Sequence, residues 1–386
     1  METERNIDKL AGHLMNLGVA AAIIALCLYF HSVLIYIILA FIVSLIGQPL
    51  TVVLRKVRIN GRTAPDWLLA ILAIICILGG ILLIVTQIIP VVTGIVRDAS
   101  LFKNIHMPEG NLIDNVNQWM AGAIPWLGAD FDGVGLVLGY AKDFIAKISL
   151  TGILGSLAST MVDFIIGGFS VAFIAFFFIK DNQLFRKIIG ALTPDRLEKK
   201  VGQAIGDIER LLSRYFVGII IEMFGVALID FLGLWLIARI GVGYAVGIAF
   251  IAGILNIIPY IGPLIGEVLG VTLCFVLKYG SGTGLDVNIW VFALIVLLIM
   301  LSAQMIDNFI YQPLIYSKSI QATPLEVFIV ILLAAHIGGV TGMLAAIPAY
   351  TVIRVIAGRF FYGNKAVQRL MPDMKNEVNN NNNNPF

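Results

Sequence analysis

The chain has 386 residues, of which 59% are hydrophobic and only 13% charged, whereas about 25% of the residues in a typical soluble domain are charged. This composition predicts an integral membrane protein and excludes an ordinary soluble domain. The close balance of 26 basic and 24 acidic residues excludes a nucleic-acid-binding protein, because phosphate binding needs a concentrated basic face.

Apolar runs along the chain predict an all-α, polytopic membrane protein with about eight transmembrane elements, all in a single domain covering 1–386. A bilayer core of about 30 Å is crossed by about 20 apolar residues in a helix. Only His31 and Ser32 separate the first two runs, which could form one long helix or a tight hairpin. The runs are 14–30, 33–50, 67–92, 153–179, 215–237, 242–277, 289–310 and 325–356.

Two of these runs contain helix-breaking residues. "NIIPYIGPLIG" (256–266) interrupts one and "IGGVTG" (337–342) the other, so we expect two helical hairpins. Unpaired backbone groups are tolerated in a membrane only where protein or a water-filled cavity supplies partners, as in transporters built from discontinuous helices. The alternative is a kinked helix packed in a bundle. The candidate pathway residues are Asn256, Pro259, Tyr260, Gly262, Pro263, Gly266, Gly338, Gly339 and Gly342.

Basic residues near the ends of the runs predict the orientation of the chain. "RKVRINGR" (55–62) has four basic residues and no acidic one, so we expect it to be cytoplasmic, together with 180–214 and both termini. Segment 180–214 also has the pattern of an amphipathic helix. Segment 93–150 is richer in acidic residues and is expected outside the cytoplasm. We expect 372–386, which contains a run of asparagines, to be disordered.

Acidic residues inside the apolar runs are the candidates for ion coupling. Glu222 and Asp230 lie on either side of the middle of the fifth run and are eight residues apart, so they share a sector of a helix. A charge near a helix centre costs about 2.5–3.5 kcal/mol in a membrane, so both should face the bundle interior or a wet cavity. The alternative role is structural hydrogen bonding between helices. Asp163 and Glu267 are further candidates.

The segment "QMIDNFIYQP" (304–313) carries a polar helix face. Such a face lines a pathway or bonds a neighbouring helix. His336, beside the second break, could be a proton relay or a packed histidine. The residues of the polar face are Gln304, Asp307, Asn308 and Gln312, followed by the helix-breaking Pro313.

The sequence carries no recognisable catalytic, nucleotide-binding or metal-binding motif. H-E-x-x-H, G-x-S-x-G and G-x-x-x-x-G-K-[ST] are all absent. The chain is therefore predicted to be neither an enzyme nor a cofactor-binding or nucleotide-binding protein. An intramembrane hydrolase using Asp163 with Asp230 is one alternative, although neither residue has a recognisable catalytic context. A non-transporting scaffold that recruits partners through 182–214 is another.

The two broken segments and "DNFIYQP" (307–313), together with "FFFIKD" (176–181), make the chain resemble the autoinducer-2 exporter family of bacterial permeases. The resemblance implies a multi-pass inner (cytoplasmic) membrane carrier with cytoplasmic termini and a tight hairpin at 14–50. Members of that family are linked to export of the signalling molecule autoinducer-2, and some to sodium–proton exchange.

The expected function is therefore export of a small polar solute similar to autoinducer-2. Transport could be coupled to a proton or a sodium ion. The expected surroundings are the lipid bilayer and further copies of the chain in a homo-oligomer. A sodium–proton antiporter is the alternative function.

Overall fold

The computed structural model describes residues 25–26, 28–56, 58–59, 62–99, 166–319, 323–362 and 367. These residues are almost entirely helical, as predicted, apart from a two-stranded hairpin in which β1 (Arg58–Ile59) pairs antiparallel with β2 (Arg62–Thr63). The described residues belong to two compact units, one up to residue 77 and from 166 to 198, the other from 78 to 99 and from 199 onward.

The predicted hairpin at 14–50 does not reverse at His31 and Ser32. Helix α1 spans His31–Leu54, and helical hydrogen bonds continue across its start, from Phe30 N to Leu26 O at 2.9 Å and from Leu34 N to Phe30 O at 3.1 Å. Phe30 has non-helical dihedral angles, φ −96° and ψ 24°, so the helical path is kinked at that residue. The reversal that the hairpin requires does not occur among the described residues from 25 to 54, and residues 14–24 lie outside the described part of the chain.

In the first unit, α1 packs against α2 (Asp66–Ala99) and α3 (Ile166–Lys180). Gly47 allows the close approach, because a Cβ there would lie 2.5 Å from Ile179 and 3.9 Å from Ala73. After α3 the chain bends by 95° into α4 (Leu184–Ala191). Lys187 Nζ donates to Asp181 at 2.9 Å across this bend, which lowers the pKa of that carboxyl group.

Segment 180–214, predicted as one amphipathic helix, is divided between two helices. Helix α4 ends before Pro194, and α5 begins at Asp195 and runs to Leu232. Proline cannot continue a helix, so the break falls where the sequence requires it. Helix α5 then passes directly into a π-helix, π1 (Gly233–Ile237). The combined run of 43 residues is about 65 Å long, twice the thickness of a bilayer core.

The first broken segment forms the predicted helical hairpin. Helix α6 (Val242–Leu255) and α7 (Ile261–Ser281) flank the turn that contains Pro259. The arms run antiparallel, because a Cβ on Gly266 would contact Ala252 and one on Gly270 would contact Ile248. With 14 residues, α6 is about 21 Å long and too short to cross a bilayer core.

The next helical run continues through a second π-helix. Helix α8 spans Ile289–Ile306, π2 spans Asp307–Tyr311 and α9 spans Gln312–Ser319. The predicted polar face therefore lies on the π-helix and its flanks. π-helical turns within longer helices are often found at functional sites.

The second broken segment is also a hairpin. We name it as one helix, α10 (Pro324–Phe360), although two helical arms meet at a kink inside it. Non-helical dihedral angles occur at Gly338 and at Gly339, whose φ is +56°. Arg354 Nη1 lies 3.8 Å from Glu326 Oε2, whereas these residues would be about 42 Å apart along a straight helix. The arms therefore run antiparallel, and their lengths, 324–337 and 340–360, match those of α6 and α7.

In the described residues, six helices are long and apolar enough to cross a membrane, or seven if α3 and α4 form one bent span. The predicted total of about eight is neither reached nor excluded, because most of the first run and half of the fourth lie outside those residues. One of the six is α10, which folds back on itself.

Candidate functional site

A layer of polar side chains lies between two apolar clusters in the second unit. One cluster includes Leu234 of π1 and Met300 of α8, and the other includes Ile219 of α5 and Ile315 of α9. Along both helical runs, the buried polar residues, such as Glu222, Asp230 and Asp307, occur between the positions that belong to the two clusters. The members of this polar layer are Glu222, Asp230, Asn256, Glu267, Gln304, Asp307 and Gln312.

The carboxyl groups of Glu222 and Asp307 face each other across the contact between α5 and π2. Glu222 is 1% exposed and Asp307 is fully buried. Neither Glu222 oxygen has a hydrogen-bond donor, nor does Asp307 Oδ1. Two ionised carboxylates can only accept, so these groups can bond to each other only when they share a proton.

Asp230 belongs to a second carboxyl pair, with Glu267 of α7 beside it. Both line a narrow cleft of about 10 Å³, together with Asn256 and Gln304, so that four helices or helix ends contribute to its walls. This volume is about the size of one water molecule. Asp230 Oδ1, Glu267 Oε1 and both side-chain polar atoms of Asn256 have no hydrogen-bond partner among the described residues. Buried polar groups are nearly always paired, so this cleft has the chemistry of a site for a polar species.

The π2 helix brings side chains of the predicted polar face within hydrogen-bonding distance of one another. Gln312 Nε2 donates to Asp307 Oδ2 at 2.7 Å and to Asn308 Oδ1 at 3.0 Å. Gln304 Nε2 also donates to Asn308 Oδ1, at 3.1 Å. The bond between Asp307 and Gln312 joins residues five positions apart, the spacing that a π-helix brings together. Asp307 is buried while Asn308 is exposed, so the face extends from the interior to the surface.

Glycines on α5 and π1 bring the opposing helix close to the polar layer. A Cβ on Gly218 would meet Ile315, one on Gly225 would meet the Tyr311 hydroxyl, and one on Gly233 would meet Ile299. Small residues at such spacing allow close helix packing in membranes. Tyr311 lies beside the layer and was not predicted from the sequence, although the glycines at 218, 225 and 233 indicate that α5 is closely packed.

The turn of the first hairpin places its predicted residues at the edge of the layer. Asn256 caps the C-terminus of α6, and Pro263 and Gly266 line the cleft with it. Gly262 is in direct contact with the Leu255 carbonyl, which no residue with a Cβ would allow. Tyr260 has a φ of +66°, a conformation that disfavours side chains with a Cβ, so the turn holds a strained backbone. Pro259 precedes it.

The second break does not join the cleft. Gly338, Gly339 and His336 are exposed at the tip of α10, and Gly342 contacts the Ala334 carbonyl within the hairpin. The cleft lining contains none of them. Pro313 follows the polar face at the start of α9. Asp163, segments 100–150 and 372–386, and the expected roles of each lie outside the described residues.

The four carboxyl groups of the polar layer have no basic partner in the part of the chain that the structure describes. The ion pairs among the described residues involve other side chains, such as Arg359 with Asp207. In the same described residues, no group of three or more histidine, cysteine or acidic side chains has the arrangement of a metal site. The layer is therefore acidic and can attract protons, cations or neutral hydrogen-bonding molecules.

Comparison with known proteins finds several relatives of this chain. It is 24% identical over 306 residues to "Putative transport protein YueF" of Bacillus subtilis (strain 168), covering 77% of this chain and 78% of that protein. It is 24% identical to "Putative transport protein YrrI" of the same organism, covering 52% and 53%, and to "Putative permease PerM" of Escherichia coli (strain K12), covering 55% and 56%. The chain thus matches about half the length of YrrI and PerM.

The model of the AI-2E family transporters matches residues 17–361, which include the polar layer and both hairpins. A multi-pass arrangement of apolar helices around buried polar groups agrees with this description. The chain belongs to the AI-2E family of membrane transporters.

Proposed function

We propose that this chain exports a small polar solute across the bacterial inner membrane through the polar layer, coupled to a proton or a sodium ion. The observation that carries the proposal is the set of buried carboxyl and amide groups without partners, held between two apolar clusters. Such groups are unfavourable in a membrane unless they meet water, an ion or a solute.

The first hairpin supports this location. Helix α6 is too short to cross the bilayer core and ends at Asn256, at the layer. Ile254 O and Leu255 O accept from the amides of Ile257 and Ile258 in the turn, and the C-terminus of the helix carries the negative end of its dipole, which favours a cation or a hydrogen-bond donor. Transporters with discontinuous helices bind solutes and ions at such ends.

The charge of the layer limits the class of solute. Its described residues include four acidic groups and no basic group, so it disfavours anions. A neutral molecule rich in hydroxyl groups can donate to carboxylate and amide oxygens at the same time. A solute similar to autoinducer-2, the substrate class suggested by the family description, is the finer part of this proposal.

The two carboxyl pairs supply the coupling. Glu222 and Asp307 face each other, and two ionised carboxylates at these positions need a proton, a cation or a solute hydroxyl to compensate their charges. Asp230 and Glu267 provide the same chemistry in the cleft. Proton occupancy and solute occupancy are therefore linked, since both alter the charge of one small buried region.

The test uses purified protein in proteoliposomes loaded with autoinducer-2, with release measured with and without an imposed pH gradient. We expect Glu222→Gln and Asp230→Asn each to remove the acceleration that the pH gradient produces. Glu198→Gln and Asp286→Asn are matched controls, because both residues are exposed on other parts of the chain. If both layer variants keep the full acceleration, proton coupling through these carboxyl groups is wrong.

Sodium–proton exchange is the second candidate, favoured by the acidic character of the layer. A sodium gradient imposed without any solute should then drive proton movement, which a pH-sensitive dye inside the liposomes reports. Proton movement that requires the solute would reject the antiporter and retain solute export. The homo-oligomer stays a prediction, tested by the mass of the purified complex.

A further inference from the structure

A separate cavity of about 590 Å³ lies in the first unit, away from the polar layer. It is formed where three apolar helices meet: the C-terminal end of α1, the first turn of α2 and the C-terminal end of α3. We call it the interfacial cavity. Its volume is in the range of sites for small molecules.

The walls of the interfacial cavity combine two kinds of chemistry. Arg55 and Lys180 contribute positive charge from the ends of α1 and α3, and Asp66 contributes one negative charge. Thr51 and Asn182 contribute hydrogen-bonding groups. Val52, Leu69 and Ile179 contribute an apolar wall. A ligand that fits both parts has an anionic head and an apolar body.

The positive groups have capacity for an anion. Arg55 Nη2 donates to Asp66 Oδ1 at 2.5 Å, but both side chains are more than half exposed, at 57% and 61%, and exposed ion pairs are weak. A guanidinium has five N–H donors, so Arg55 can bind a second anion beside Asp66. Lys180 forms no ion pair within the described residues.

The cavity lies at the level where a membrane meets water. The ends of three apolar helices coincide there, and Trp67, at the start of α2, is 50% exposed. Tryptophan is enriched at this depth of a membrane. The segment between α1 and α2 also contains four basic residues, 55, 56, 58 and 62. Such clusters next to a transmembrane helix attract anionic lipids.

We propose that the interfacial cavity binds the headgroup of an anionic phospholipid from the leaflet on that side. The phosphate lies between Arg55 and Lys180, headgroup hydroxyls bond to Thr51 or Asn182, and the acyl chains leave along the apolar wall at Val52. A lipid fits better than a free anion, because a free anion makes no use of that wall. This site is independent of the proposed transport activity.

The experiment is native mass spectrometry of the purified full chain in detergent, titrated with phosphatidylglycerol or phosphatidylcholine. We expect preferential binding of phosphatidylglycerol. Lys180→Gln should weaken it about fivefold, the effect of one basic residue near a lipid surface. Lys200→Gln is the matched control, because it removes the same charge from an exposed position on α5 that does not line the cavity.

A melting temperature for Lys180→Gln equal to that of the unchanged protein shows that the fold is intact. Asn182→Ala provides a second variant without loss of charge and should also weaken binding. The proposal is overturned if Lys200→Gln weakens binding as much as Lys180→Gln, or if both lipids bind equally. Displacement of the lipid by glycerol 3-phosphate at equal concentration would identify a free-anion site and also overturn it.

Discussion

At the scale of single residues, the polar layer depends on glycines as much as on carboxyl groups. Gly225 lies one helical turn from Glu222 and faces Tyr311, so the absence of a side chain there sets how closely π2 approaches α5. The distance between Glu222 and Asp307 follows from that approach. Gly225, which has no side chain, therefore helps to position the carboxyl groups of Glu222 and Asp307.

Gly225→Ala should lower the free energy of unfolding by about 1–3 kcal/mol, because its Cβ would overlap the Tyr311 ring and hydroxyl. Gly202→Ala is the matched control in the same helix. A Cβ there has nothing within 4 Å, so that substitution should stabilise α5 by about 0.5–1 kcal/mol. Thermal unfolding in detergent measures both. Equal melting temperatures for the two variants would contradict the close packing.

Buried charge elsewhere is paired, in contrast to the layer. Asp207 of α5 accepts from Arg359 Nε at 2.9 Å and from Arg210 Nη2 at 2.9 Å. The side chains of Arg359 and Asp207 are only 10% and 12% exposed. This pair connects α5 with the second arm of α10, so its role is structural.

Asp207→Asn should destabilise the protein by about 3 kcal/mol, because it leaves a nearly buried arginine without its counter-charge. Asp286→Asn, in an exposed loop, should have an effect below about 0.5 kcal/mol. The comparison is made by thermal unfolding at constant pH and salt. A loss for Asp207→Asn no greater than that for Asp286→Asn would show that the pair contributes little.

At the scale of helices, the two hairpins repeat one design with different turns. Both have a short first arm and a longer second arm, and in both a glycine of the second arm touches a carbonyl group of the first, Gly262 with Leu255 and Gly342 with Ala334. The first turn uses Pro259 and a strained Tyr260, whereas the second uses two adjacent glycines. Only the first turn reaches the polar layer.

The reversal in α10 depends on one of its two glycines. Gly339 has φ +56° and ψ −136°, whereas Gly338 has φ −134° and ψ 15°. Gly339→Ala should therefore destabilise the hairpin by about 1–3 kcal/mol, and Gly338→Ala should have a clearly smaller effect. Thermal unfolding of the two neighbouring variants is the measurement. The reverse order would show that the reversal does not require a positive φ at 339.

At the scale of the whole molecule, a layer of unpaired carboxyl groups reduces stability and is consistent with a transport role. Burying a carboxyl group whose oxygens meet no donor costs free energy, and an apolar side chain of similar size at that position removes the cost. A structural role and a transport role for Glu222 therefore predict opposite effects on stability.

Glu222→Met should raise the free energy of unfolding by about 1–3 kcal/mol and abolish release of autoinducer-2 driven by a pH gradient. Glu198→Met, at an exposed position, should change neither property. Unfolding in detergent and release from proteoliposomes measure the two effects on the same preparations. A destabilised Glu222→Met that still transports would favour the structural role.

The sequence by itself determined the all-α membrane fold, the positions of both breaks and the residues of the polar layer. It could do so because apolar length, proline, glycine and buried charge have local physical consequences. Its errors were also local, at Phe30–Ser32 and Pro194, where one or two residues decide whether a helix continues.

Only the tertiary structure decided which polar residues meet. Glu222 pairs with Asp307, and Asp230 with Glu267, across distances in the chain that no helical periodicity relates. The same holds for the interfacial cavity, whose walls come from the ends of three helices. Such contacts depend on how glycines and apolar side chains fit between helices, and that fit is a property of the packed bundle.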